Sequence, residues 1–263
     1  MLITNTKNSF SNFWRYKELF WSLFWTYLKL RHVGSILGFI WTLINPVLFI
    51  AIYWLVFSQI IRMDLSYYPL FLIPGYLAWN FSFGAIINSS NLISDNKYLI
   101  TKIAFPNEII IFSNVAVYFF DFIIAFIIYL FILFFFLPIQ LNLIVYLPII
   151  IIVQVLFTIG ISLLVSCISV YFKDISQITV LLGNIFFFLT PIFYPLEFIK
   201  GKLRILLLLN PMTSIVTIYH DILYYQKNPS VNMLLIIGIF SVFLFFSGYM
   251  VFNKYKYQFA ELS

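Results

Sequence analysis

Residues 28–46 read LKLRHVGSILGFIWTLINP, and the reading of this stretch decides the fold. It opens on a basic cluster, Lys29, Arg31 and His32, passes Gly34 and Gly38, and enters an uncharged run that continues beyond Pro46 to Gln59. That order marks a chain leaving the cytoplasmic surface of a membrane and entering the bilayer. Positive charge stays on the cytoplasmic side, and Trp41 suits the interface. Taken alone, the stretch describes any first span with a positive flank.

Composition points the same way. Hydrophobic residues make up 63% of the 263 and charged residues 9%, against about 45–50% and 25% in soluble domains. Mean hydropathy is +1.03, and no soluble fold of this length hides so much apolar surface. The chain reads as an all-α integral membrane protein. Its first residues carry Lys7, Arg15, Lys17 and Lys29 among aromatics, without the short apolar core and small-residue site of a cleaved signal peptide. The single Cys167 lies in an apolar run, which excludes an internal disulfide and gives it a packing role. The net charge of +6 sits on loops and ends, as membrane orientation requires, and does not imply nucleic-acid binding.

Outward from the opening stretch, residues 10–30 are aromatic-rich but interrupted by Arg15, Lys17, Glu18 and Lys29. A span needs about 20 mostly apolar residues, and the longest uncharged run here, Leu19 to Leu28, is half that. This part is expected to be an amphipathic helix in the interface. Six apolar runs follow, near 36–61, 69–93, 107–137, 143–171, 177–195 and 230–252. They are expected to be six transmembrane helices, since a lone run must satisfy its own backbone in lipid. They lack the alternation of barrel strands. With the N-terminus inside, cytoplasmic segments hold Lys7, Arg15, Lys17, Lys29, Arg31, Lys97, Lys102, Lys173, Lys254 and Lys256. The outside holds Arg62, Lys200, Lys202, Arg204 and Lys227, half as many, so both termini are placed in the cytoplasm. Residues 196–229 tempt a seventh span, but Asn210-Pro211 breaks the run and His220-Asp221 polarises its second half. Two short external re-entrant helices fit better. No linker or repeat divides the chain, so residues 1–263 are read as one domain.

Enzymatic chemistry is not visible. There is no G-x-x-x-x-G-K-[ST] phosphate loop: Gly201-Lys202 has Leu196 where the first glycine belongs. The two histidines are far apart and no cysteine pair exists, so no metal site is expected. No catalytic residue is assigned. The cytoplasmic segment 94–108, SDNKYLITKIAFPNE, is either a solvated connector or a short helix seated in another protein's groove. Lys97, Ile100, Lys102, Ile103, Phe105 and Pro106 are its contact candidates. Asp121 lies about 14 residues into its span, roughly 21 Å along a helix, and should face the bundle interior; with no second acidic residue beside it within a span, a packing or hydrogen-bonding role is favoured over a proton relay.

Several motifs keep one order along the chain. They are Lys29-x-Arg31, Gly34-Ser35-x-Leu37-Gly38-x-x-Trp41, Asn45-Pro46, Phe105-Pro106, Tyr171-Phe172-Lys173-Asp174-Ile175, Thr190-Pro191-Ile192-Phe193-Tyr194-Pro195, Asn210-Pro211-Met212-Thr213, Tyr219-His220-Asp221, and the tail from Phe252 to Glu261. Together they resemble ABC-2 type permeases that export polysaccharides such as O-antigen and teichoic acid. The chain departs from the family pattern at His32 and Val33, where Tyr and Lys are usual, and at Lys173 and His220, where Arg is usual.

The resemblance implies the permease half of an ATP-driven exporter. Two copies would form a channel in the bacterial inner membrane above two copies of a P-loop ATPase. The cargo would be lipid-linked polysaccharide, O-antigen on a polyprenyl diphosphate above all. The chain itself would bind no cofactor, ATP and Mg²⁺ staying on the partner. Segment 94–108 would be the coupling helix, and residues 196–229 the family's re-entrant hairpin. Aromatics that a sugar chain slides over are sought in Tyr53, Trp54, Phe187, Phe193 and Tyr194. Lys29 and Arg31 would either attract the diphosphate at the cytoplasmic mouth or simply set topology. Teichoic acid, capsule, a small lipid or a drug is the alternative cargo, and a membrane enzyme of envelope-lipid metabolism the alternative class.

Overall fold

A computed structural model describes residues 15–32, 38–62, 65–103, 105–137 and 140–259. Lys7, residues 10–14, Val33, Gly34, Ser35, Leu37 and the tail residues Ala260 and Glu261, all used above, lie outside these described residues. Every regular element among the described residues is helical. They are α1 (Lys17–His32), α2 (Trp41–Trp54), α3 (Tyr68–Asp95), α4 (Lys97–Lys102), α5 (Glu108–Phe136), α6 (Leu141–Ile144), α7 (Tyr146–Tyr171), α8 (Ile175–Leu189), α9 (Gly201–Leu208), α10 (Pro211–Leu223) and α11 (Val231–Tyr255).

Four of these reach the length and apolarity needed to cross a membrane: α3, α5, α11, and α7 counted from Asn142. A fifth crossing exists if the bent pair α9 and α10 is one broken span. Two apolar helices are shorter. One is Ile44–Ile60, which runs from α2 into a π-helical stretch, Leu55–Ile60, and the other is α8. The run expected at 177–195 is helical only to Leu189, because Thr190 precedes Pro191 and is held extended, at φ −88° and ψ 137°. The first run is entered through a 3₁₀ turn, Gly38–Ile40, in which Gly38 takes φ +46°, a conformation that costs glycine nothing.

α3 is the hub. It packs on α2, α5, α7, α8 and α10, and it carries the most serines and alanines at buried positions: Ala78, Ser82, Ala85, Ser89 and Ser90. Small residues let backbones approach, and hydroxyls bond across helices where lipid offers no partner. Gln154 of α7 is the main polar tie. Its amide donates to the Ala78 carbonyl at 2.7 Å and to Ser82 Oγ at 2.9 Å, and its carbonyl accepts from Tyr219 Oη of α10 at 2.8 Å. Asn114 of α5 donates to the Ala85 carbonyl at 3.1 Å and to Ser89 Oγ at 3.0 Å. Replacing Gln154 with leucine strands the buried Tyr219 hydroxyl, while Ser82 Oγ keeps its bond from Thr158. The expected loss is about 1–3 kcal/mol, measured as a lower Tm in detergent.

α5 and α11 behave oppositely, presenting long apolar faces outward: Ile127, Phe131 and Phe134 on one, Ile236, Ile239 and Phe243 on the other. α11 nevertheless makes the most extensive pairing in the molecule, with α7. A Cβ built on Gly160 would lie 2.7 Å from the Leu244 carbonyl carbon and oxygen, and one on Gly248 would overlap the Gly160 carbonyl oxygen. Backbone meets backbone there.

The α9–α10 bend, 96°, is built by Asn210 and Pro211. Asn210 caps α10 by accepting from the Met212 amide at 3.1 Å, and donates to Thr190 Oγ1 at 2.9 Å, fastening the bend to the end of α8. Pro211, at the first helical position, needs no N–H partner. Beyond α10, Lys227 lies 3.1 Å from Asp221 and 3.5 Å from Glu197. Burial pulls its ammonium pKa down, but the two carboxylates more than offset this and leave it above the ordinary lysine value.

Candidate functional site

α1 lies against α5. Its apolar side chains Leu23, Phe24 and Leu28 are buried, while Trp21 and Trp25 stay exposed. Ser113 Oγ donates to the Phe20 carbonyl at 3.3 Å, and Phe24 meets Phe120 edge-on at 5.9 Å. α1 therefore climbs beside α5, and its basic last turn arrives at Asp121. Arg31 Nε is 3.2 Å from one Asp121 oxygen and His32 Nε2 3.5 Å from the other. The Arg31 guanidinium also lies over the Tyr118 ring at 3.8 Å. The Asp121 side chain is 8% exposed and that of Arg31 35%. The carboxylate thus sits in a cationic corner, which is what burial of a charge demands.

This corner opens on a cleft of about 280 Å³ between α2, α3 and α5. Trp41, Asn45 and Phe49 line it from α2, Tyr76 and Asn80 from α3, and Tyr118 and Asp121 from α5. Of the two basic residues read from the sequence, Arg31 joins the cleft, and Lys29 is exposed and does not line it.

From Phe49 and Tyr76, whose rings are 5.9 Å apart, aromatic contacts continue to the other end of the helices. Tyr53 is 4.5 Å from Phe193 and 6.0 Å from Phe187, and Phe187 meets Phe193 edge-on at 5.0 Å. Phe57 stacks on Phe193 at 5.2 Å. Tyr194 Oη donates to the Phe188 carbonyl at 3.1 Å, and Trp54 is 44% exposed. Tyr53, Phe187, Phe193 and Tyr194 thus occupy one region in different roles, whereas no ring contact joins Trp54 to them among the described residues. Phe193 is 1% exposed and its carbonyl accepts from Tyr68 Oη at 2.6 Å, so its ring is a centrepiece that others pack around. Phe49 and Phe188 are exposed members that the sequence reading missed. The four-residue spacing of Phe49 from Tyr53 could have suggested it, whereas Phe188, adjacent to Phe187, carried no such signal.

At the opposite end of α3, Asn96 separates it from α4. Tyr27 of α1 donates to the Asn96 side chain at 3.1 Å, so the junction is braced by the same helix that carries Arg31. On α4 and the residues after it, Lys97, Lys102 and Ile103 are exposed, whereas Ile100 and Phe105 pack against the core and Pro106 is half-buried. Ile100 therefore faces inward. Tyr98, 76% exposed with the Lys102 ammonium 5.5 Å from its ring, is the projecting apolar group in its place. No group of three or more potential metal ligands occurs among the described residues.

The bundle carries the long apolar helices of a membrane protein. A model of the ABC-2 type transporter family matches residues 2–224, and the chain belongs to that family. It is 30% identical over 261 residues to a protein of Myxococcus xanthus named O-antigen export system permease protein RfbA, covering 94% of this chain and 96% of that one. Two Klebsiella pneumoniae proteins of the same name are each 31% identical, over 238 and 236 residues, covering 89% of this chain and 91% of theirs.

Proposed function

We propose that this chain is the permease subunit of an ATP-driven exporter of lipid-linked polysaccharide, O-antigen on a polyprenyl diphosphate. The observation that carries this reading is the charged cleft at Arg31 running into the aromatic ribbon at Tyr53 and Phe187. A diphosphate requires cations in a setting of low dielectric, and sugar rings require apolar faces to slide over. The named relatives are O-antigen export permeases, which fits both. In this reading α2 and α8, with the three long helices α3, α5 and α7 and the last helix α11, make six spans. The α9–α10 bend is a re-entrant hairpin at the outer face, and both termini lie in the cytoplasm of a bacterial inner membrane. Two copies enclose the conduit, and two P-loop ATPase chains, holding ATP and Mg²⁺, seat against α4.

Deleting the gene from its host should remove the surface polymer while polyprenyl-linked polymer accumulates inside. Unchanged surface polymer would sink the proposal. At α4, Tyr98→Ala combined with Ile103→Asp should cut the co-purifying ATPase at least tenfold in a detergent pull-down. The chain's own elution profile should not change. Retention of the ATPase would rule out this docking face.

A further inference from the structure

The outward-facing residues of α3 differ in kind from those of the other long helices. Between Leu235 and Met250, every exposed residue of α11 is apolar, as lipid contact demands. On α3, the exposed positions from Asn80 onward begin with Asn80, Asn88 and Asn91, three amides. At 100° per residue these three fall within one narrow face. Asn80 lies 15 residues before Asp95, about 22 Å along the helix, which is too deep for the headgroups. An amide there, with neither water nor a partner, would be as unfavourable as any unsatisfied polar group in hydrocarbon.

The same face leads into the cleft, where Asn80 and the exposed Asn45 of α2 are both lining residues. Gly84 falls between Asn80 and Asn88, and a Cβ there would strike the Tyr118 ring, so the side of the groove is formed by the residue that also stacks on Arg31. Within the cleft the lining turns aromatic at Phe49 and Tyr76.

We propose that Asn80, Asn88 and Asn91, with Asn45, form a hydroxyl-binding track that guides a sugar polymer from the cytoplasmic end of α3 to the aromatic ribbon. Each amide offers donors and an acceptor, matching a hydroxyl, which is both. Uncharged pairs of this kind hold weakly enough to exchange along a moving chain. Ions and phosphates would instead require charge, and the charge in this groove is concentrated at Arg31 and Asp121, at one end of the track. The proposal rests on the polysaccharide-export reading above and assigns the residues that read the sugar.

The native chain has one cysteine, Cys167, buried in α7, so a Cys167→Ser background makes thiol labelling clean. Asn80→Cys, Asn88→Cys and Asn91→Cys should react with a charged methanethiosulfonate in inverted membrane vesicles at least tenfold faster than Ile239→Cys and Phe243→Cys on α11. Vesicles from cells making the polymer should show at least threefold slower labelling than vesicles from cells lacking its synthesis. Rates as low as at the α11 positions would overturn the track. Fast labelling indifferent to polymer would also overturn it, by making the groove aqueous but unused. Where a cysteine variant does not accumulate, Asn80→Leu and Asn80→Gln replace it. Leucine should lower surface polymer severalfold and glutamine should retain it, and equal export by both would overturn the proposal. The export reading itself fails separately, if deleting the gene leaves surface polymer unchanged.

Discussion

Gly248→Leu is expected to abolish accumulation of folded protein, with less than a tenth of the normal monodisperse peak on size exclusion in detergent. The added side chain has nowhere to go. Its Cβ alone would overlap the Gly160 carbonyl oxygen, and the neighbour is backbone rather than the yielding end of a side chain. Overfilling a packed site by a few methylenes costs about 1–3 kcal/mol. Forcing apart the whole α7–α11 crossing adds the lost dispersion contacts along both helices. Gly160→Leu should behave alike, its Cβ being 2.7 Å from the Leu244 carbonyl. Gly238→Ala on the same α11 is the control. Its nearest neighbour is Val153 Cγ2 at 3.8 Å, and alanine is the better helix former, so levels should stay normal or rise. Normal accumulation of Gly248→Leu would mean that the two helices do not meet at these glycines.

The Arg31–Asp121 pair gives the second large effect. Removing one member of a buried pair costs about 3–5 kcal/mol because the other charge is stranded. Arg31 is one-third exposed and His32 also faces Asp121, so about 2 kcal/mol is expected for Arg31→Ala, on the scale of contacting charges. The double variant Arg31→Leu with Asp121→Leu should regain most of the lost thermal stability while export stays at least fivefold down. That outcome separates the structural pairing from the cationic service to cargo. A double variant no more stable than the singles would show that the pair is not coupled. One that exports normally would remove Arg31 from the transport path.

The helices were legible because each long apolar run has no other way to satisfy its backbone, and the break at Asn210-Pro211 because proline and a capping asparagine act locally. What lay beyond reading was contact between distant segments. Asp121 looked solitary within its span, since its partners come from a helix about 90 residues earlier. The general rule that a buried carboxylate must find a cation was available, but nothing in the order of residues said which one. Phe193 sits in an aromatic cluster whether buried or exposed, so composition could not show that it is a centrepiece and Phe188 a surface. Ile100 and Tyr98 are two residues apart on a six-residue helix, and only the docking of α4 under α3 decides which of them projects. The glycines at 160 and 248 carry no signal until two helices are seen to touch.

The α7–α11 crossing also sets an order for biogenesis. Gly248 completes the notch at Gly160, and just beyond it Lys256 lies 3.7 Å from Glu108 at the start of α5 while Phe259 packs on Phe252 at 5.1 Å. These closing residues are synthesised last among the described helices and their flanks. The ribosome must add roughly 90 residues after Gly160 before Gly248 exists, about 4–18 s at roughly 5–20 residues per second. For that interval α7 stands in the bilayer with its backbone notch facing lipid or an insertion factor. The tightest joint of the finished bundle is thus one that can close only after the last helix is made.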